Sequence, residues 1–140
     1  MIAMPYLRLP AVLDNLEKLI SFISECAGKQ GYSPAELRRI ELAVEEVLVN
    51  ICRYAYPAGT GDIEVNCKVG SDSTLIEIID TGIPFDCSTE TCPDIEANVC
   101  DRKLGGLGIF LVHKMVDKVA YRREGNKNIL TLLYKPRGKC

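Results

Sequence analysis

One helical stretch constrains this chain more than any other. Leu37, Ile40, Val44, Val47, Leu48, Ile51 and Ala55 recur at the three- and four-residue spacing of a single buried helix face. Ser33-Pro34-Ala35-Glu36 forms a capping box with proline at the first helical position, so the helix starts at Pro34. It must stop before Pro57, where Pro57-Ala58-Gly59-Thr60-Gly61 reads as a loop. Glu46 and Asn50 are four apart, one turn above each other. At about 100° per residue both fall on one flank of the apolar stripe, where a helix edge meets a cavity wall. A carboxylate there can accept a proton, and an amide oxygen can ligate a hard cation. Taken alone, the pair is better read as a solvated glutamate and a tolerated asparagine, and the later stretches reverse that reading.

The 140 residues suit a single domain, 1–140, with a real hydrophobic core. Hydrophobic residues make up 47% and charged residues 26%, the balance of an ordinary globular chain. A net charge of −2 without a basic run argues against a nucleic-acid surface. No apolar run reaches membrane-span length and Met1 to Pro10 lacks a signal-peptide layout, so a cytoplasmic address with no membrane partner is expected. None of the seven cysteines form C-x-x-C, and reduced thiols are the expectation. Cys52 and Cys67 read as small hydrophobes. Cys87, Cys92 and Cys100 fit no common zinc spacing, and incidental thiols are preferred to a redox-sensitive cluster.

The rest of the chain divides cleanly. Leu7-Arg8-Leu9 is a short strand ending at Pro10. Val12, Leu16, Leu19, Ile20, Ile23 and Ala27 mark an amphipathic helix from Ala11, ended by Gly28 and Gly31. Ile63, Val65, Cys67 and Val69 alternate with polar residues as a half-buried strand, and Gly70 to Ser73 is the turn into a second strand, Thr74 to Asp80. Thr81 to Gly105 has little periodicity, which in a compact domain points to a functional segment such as a lid. Leu107 to Val116 reads as a buried helix with a glycine-rich entry. Lys118 to Arg123 and Asn128 to Tyr134 flank the hairpin turn Glu124-Gly125-Asn126-Lys127.

Two further stretches carry chemistry. Asp80 ends the apolar row Ile76, Ile78, and a carboxylate there is costly unless something donates to it. An exocyclic amine such as that of adenine would serve, and so would the loop's own amides. Gly82 lets the backbone turn and a flat ligand approach. Gly105-Gly106-Leu107-Gly108 then opens a helix, where exposed N–H groups and the helix dipole favour phosphate; tight turns also use such glycines.

In order, Glu46-x-x-x-Asn50, Asp80-x-Gly82-x-Pro84-Phe85 and Gly106-x-Gly108 resemble the GHKL superfamily of ATPases. Gly106-Leu107-Gly108-Ile109-Phe110-Leu111-Val112 and Met115-Val116-Asp117 resemble its branch of small serine/threonine-protein kinases that act as anti-sigma factors. The resemblance implies an α/β two-layer sandwich of the Bergerat type, with a mixed, mostly antiparallel sheet and helices on one face. It implies ATP and Mg2+ as cofactors. It also makes Glu46 the general base, Asn50 the magnesium ligand, Asp80 and Gly82 the adenine pocket, and Gly106, Leu107 and Gly108 the phosphate loop. The family often carries a threonine near the adenine on its last strands, and the resemblance leaves Asn128 and Thr131 as the two candidates for that place. Asp101-Arg102-Lys103 could reach phosphates, although no motif fixes which residue does. Arg53 could contact phosphate or a partner, or form an ion pair; His113 reads as a helix-surface residue.

The partner implied is an anti-sigma-factor antagonist with a STAS domain, possibly with a sigma factor, and the oligomer implied is a homodimer using the first strand and first helix. Two rivals remain. One is a nucleotide-gated regulator that sequesters a partner and transfers nothing. The other is a histidine-kinase catalytic domain, disfavoured because no dimerisation-and-phosphoacceptor helix pair is present in the sequence.

Overall fold

Alternation along the strands decides which face of the sheet is covered. In the computed structural model, which describes residues 5–84 and 112–136, Ile63, Val65 and Cys67 are fully buried while Glu64 and Asn66 between them are half-exposed. The elements are β1 (Tyr6–Pro10), a 3-10 turn (Leu13–Asn15), α1 (Leu16–Gly28), α2 (Pro34–Tyr54), β2 (Asp62–Val69), β3 (Thr74–Asp80), β4 (Lys118–Glu124) and β5 (Lys127–Tyr134). The strands lie in the order β1-β2-β3-β5-β4, and every pairing is antiparallel. The antiparallel majority expected from the resemblance is thus the whole of the described sheet.

The register sets inward residues against one another: Val65 opposes Ile78, Cys67 opposes Ile76, and Ile76 opposes Leu132. Onto this face pack Leu19, Ile23 and Ala27 of α1 and Ile40, Val44, Leu48 and Ile51 of α2, in one core. Residues 112–115 are helical, and Val112 and Val116 join the same core. Arg39 of α2 donates to the carbonyls of Met115 and Lys114 at 3.3 and 3.2 Å, capping that last turn. Among the described residues no helix is long and apolar enough to cross a membrane.

The start of α2 follows its capping box. Ser33 Oγ accepts from the Glu36 N–H at 3.1 Å, and Glu36 Oε1 accepts from the Ser33 N–H at 3.2 Å. The first helix starts later than its apolar spacing suggests. The Ala11 N–H donates to the Gly61 carbonyl at 2.8 Å, which keeps the chain beside β2, and Val12 is extended with φ −126° and ψ 150°. Val12 and Leu13 therefore face outward at 45% and 49% exposure, and α1 begins only at Leu16. The β4–β5 turn is the expected two-residue hairpin, with Gly125 at φ +60°.

The exit of β3 is tied to the C-terminus of α2. The Ile83 N–H donates to the Ala55 carbonyl at 2.9 Å. The Tyr56 hydroxyl donates to the Asp62 carbonyl at 2.7 Å and accepts from the Thr81 N–H at 2.8 Å. A Cβ on Gly82 would overlap the carbonyl group and side chain of Ala55. Gly82→Ala must therefore separate loop from helix, and the expected loss is on the order of 2 kcal/mol, within the usual range for overpacking. Gly28→Ala meets open space at the end of α1 and should be neutral or stabilising by up to about 1 kcal/mol. Urea unfolding of both variants checks this, with equal losses overturning the packing argument.

Candidate functional site

The helix supplies the first half of the site. Asn50 is only 4% exposed, deeper than a position on the helix edge would be. The reason is Ala43, seven residues earlier and fully buried, which widens the covered arc until it reaches Asn50. Asn50 Oδ1 is buried with no hydrogen-bond partner among the described residues. A buried carbonyl oxygen left in that state is costly, and the lone pairs suit a donor or a hard cation. Glu46 lies one turn earlier at the rim, half-buried. Arg53 is exposed and His113 half-buried.

The sheet supplies the second half. Asp80 closes the inward row of β3, opposite Ile63 on one side and Asn128 on the other. It is 4% exposed. Its Oδ1 accepts from the Gly82 N–H and from Asn128 Nδ2, both at 2.8 Å. No hydrogen bond reaches Oδ2 among the described residues. Both readings of Asp80 thus have a place: one oxygen holds the loop, and the other remains an acceptor. Gly82 also meets a packing demand. Its φ is not positive, and the missing side chain makes room for Ala55.

Register also separates Asn128 from Thr131. Asn128 opposes Asp80 and shares its face, whereas Thr131 opposes Glu77 on the other face of the sheet. The Asn128 amide donates further to the carbonyls of Ile83 at 2.9 Å and Gly82 at 3.3 Å. Its Oδ1 accepts from the Tyr121 hydroxyl at 2.6 Å and Arg123 Nη1 at 2.9 Å. Arg123 Nη1 also donates to the Gly82 carbonyl at 3.0 Å. Tyr56, Tyr121 and Arg123 were not singled out from the sequence. Arg123 was within reach of it, because a two-residue hairpin turn puts Arg123 opposite Asn128.

Gly106, Leu107 and Gly108, together with Asp101, Arg102, Lys103, Cys87, Cys92 and Cys100, lie outside the described residues. The thiols that are described carry no chemistry of their own. Cys26 and Cys67 are buried and Cys52 half-buried, all unpaired. Burial, then the neighbouring Cys26 thiol, pushes Cys67 far above the ordinary thiol range, and desolvation raises Cys52. Thiols held protonated in this way are poor nucleophiles.

The described geometry is a polar helix flank ending in a joint to a buried carboxylate, with a free oxygen at each end. Comparison with known proteins bears on the fold and the family. The chain is 28% identical over 131 residues to a serine-protein kinase RsbW of Listeria monocytogenes, covering 89% of this chain and 83% of that one. It is 30% identical over 106 residues to a serine-protein kinase RsbW of Halalkalibacterium halodurans, covering 73% of this chain and 65% of that one. The structure of the RsbU and RsbW domains of a Mycobacterium tuberculosis protein superposes with a TM-score of 0.63 at 15% identity, over 94% of this chain and 32% of that one. Residues 9–134 match the histidine kinase-like ATPase domain, and the chain belongs to that family.

Proposed function

We propose that the chain is an ATP-dependent serine/threonine-protein kinase acting as an anti-sigma regulatory factor, and that its substrate is a STAS-type anti-sigma-factor antagonist. The observation that carries the nucleotide half of this reading is Asn50 Oδ1, a buried oxygen without a partner among the described residues, on the flank that also carries Glu46. The names of the RsbW relatives support the transfer to a protein hydroxyl.

In this reading the exocyclic amine of adenine donates to Asp80 Oδ2, and Gly82 keeps the pocket tied to α2. Asn50 Oδ1 would hold Mg2+, whose charge offsets that of the phosphates. One protein oxygen with the remaining ligands from phosphate and water is the usual way that ion is held. Glu46, at the rim, accepts the proton of the attacking hydroxyl. Gly106, Leu107 and Gly108 would be the phosphate loop that the resemblance implies. The partners would be the STAS-type antagonist and a sigma factor, met in the cytoplasm by a homodimer.

Three substitutions test the assignments separately. Glu46→Gln keeps the shape and removes the proton acceptor. ATP should still bind while phosphate transfer to the partner falls by about 10²–10⁴-fold, the usual general-base contribution. Transfer at the parent rate would remove Glu46 from the mechanism, and ATP binding with no transfer by the parent would favour a nucleotide-gated binding regulator. Asn50→Leu replaces an unsatisfied oxygen with apolar volume. It should raise the thermal stability of the nucleotide-free protein by on the order of 1 kcal/mol and abolish magnesium-dependent ATP binding. A variant that loses stability and keeps magnesium dependence contradicts the ligand role.

Asp80→Asn should weaken ATP binding by on the order of 2 kcal/mol, because an amide can turn its NH2 toward the adenine amine and the charge-assisted acceptor is lost. Calorimetric titration measures it. Unchanged ATP affinity would show that the base lies elsewhere.

A further inference from the structure

We propose that Asn128 sets the base specificity of this site, by holding Asp80 with one oxygen saturated and the other available, and that Tyr121 and Arg123 set Asn128 in turn. The inference rests on the nucleotide reading above and adds to it a residue and a mechanism for choosing the base.

The orientation of the Asn128 amide is fixed by its surroundings. Its NH2 meets only acceptors: Asp80 Oδ1 at 2.8 Å, the Ile83 carbonyl at 2.9 Å and the Gly82 carbonyl at 3.3 Å. Its oxygen meets only donors, the Tyr121 hydroxyl at 2.6 Å and Arg123 Nη1 at 2.9 Å. Flipping the amide would set its NH2 against Arg123 Nη1, which can only donate, and its oxygen against three acceptors, so one orientation satisfies the network. Asn128 is 4% exposed, and so is Asp80, so a misplaced dipole here is not relieved by water.

The consequence falls on Asp80. With two donors on Oδ1, the carboxylate is held in one orientation, which leaves Oδ2 to accept from a ligand. A 6-amino purine presents a donor to that oxygen. A 6-oxo purine presents another acceptor and is rejected by the unpaired oxygen. Without the Asn128 donor, Asp80 can rotate, and Oδ2 loses its alignment with the amine. Discrimination then falls even though Asp80 is intact. The two outer donors reach this centre from β4, since Tyr121 and Arg123 contact Asn128 and not Asp80.

The test is calorimetric titration with ATP and with inosine triphosphate, which carries oxygen in place of the amine. The parent should prefer ATP. Asn128→Ala should weaken ATP by about tenfold and leave inosine triphosphate nearly unchanged, so the preference falls about tenfold, the worth of one well-placed hydrogen bond. Asn128→Thr, which keeps a donor for Asp80, should restore part of it. The double variant Tyr121→Phe, Arg123→Met leaves the buried residues in place and guards against a folding failure of the Asn128 variants. It should lower the preference by about threefold. Equal weakening of both nucleotides, or an unchanged preference in folded variants, overturns the positioning role while the adenine site stands. A parent that binds both nucleotides alike overturns the adenine reading at Asp80 and this inference with it.

Discussion

The Ile83 N–H donates to the Ala55 carbonyl at 2.9 Å, and Gly82 lets the two segments come close enough for it. This joint holds the two halves of the site in a fixed relation. Everything on α2 is measured from Ala55, and everything at the exit of β3 from Gly82. At 1.5 Å per residue, Asn50 lies about 7.5 Å and Glu46 about 13.5 Å back along the helix axis from Ala55. Asp80 lies just before the joint on the other side, with its Oδ1 on the Gly82 N–H at 2.8 Å. The order along this line is acceptor, buried oxygen, rim carboxylate. The capping box at Ser33 fixes where the helix starts, and the joint fixes what its far end touches.

Local rules made much of the fold legible in the sequence. The capping box placed Pro34 at the start of α2, and alternation gave β3 as Thr74–Asp80. The glycine hairpin gave the β4–β5 register, and with it the opposition of Arg123 and Asn128. Tertiary contacts hid the rest. The bond from the Ala11 N–H to Gly61 delays α1, and no periodicity within residues 11–28 encodes it. The depth of Asn50 depends on Ala43, a small residue easily left out of an apolar stripe. The choice between Asn128 and Thr131 needed the β3–β5 register, because two strand residues three apart point to opposite faces. Gly82 announced a special backbone position, but only the packed Ala55 explains which demand it meets.

Asn50 and Asp80 illustrate two ways to bury a polar group. Asp80 has its desolvation offset by donors already in the fold, so its carboxylate is held in place. Asn50 Oδ1 has no such donor among the described residues, so the fold is less stable than it would be with an apolar side chain there. A penalty of that kind is tolerated where a ligand removes it, and stability then rises with ligand concentration by mass action.

Why the choice of base should rest on a side chain that need not touch the base follows from what a carboxylate is. Ionised, it accepts along two oxygens and, left free, turns to suit whatever donor arrives, so by itself it chooses poorly. Protonated, it would donate as readily as it accepts. Rejecting a 6-oxo purine requires that both freedoms be removed before the ligand arrives, and the ligand cannot supply that restraint itself. In the proposed reading, the restraint on rotation comes from the strand next to Asp80, through an amide whose own direction is held by partners on the strand beyond. If the proposal holds, the selectivity of the pocket is a property of three adjacent strands, β3, β5 and β4, and the hairpin turn at Gly125-Asn126 that sets the register of β4 on β5 bears on it as much as Asp80 does.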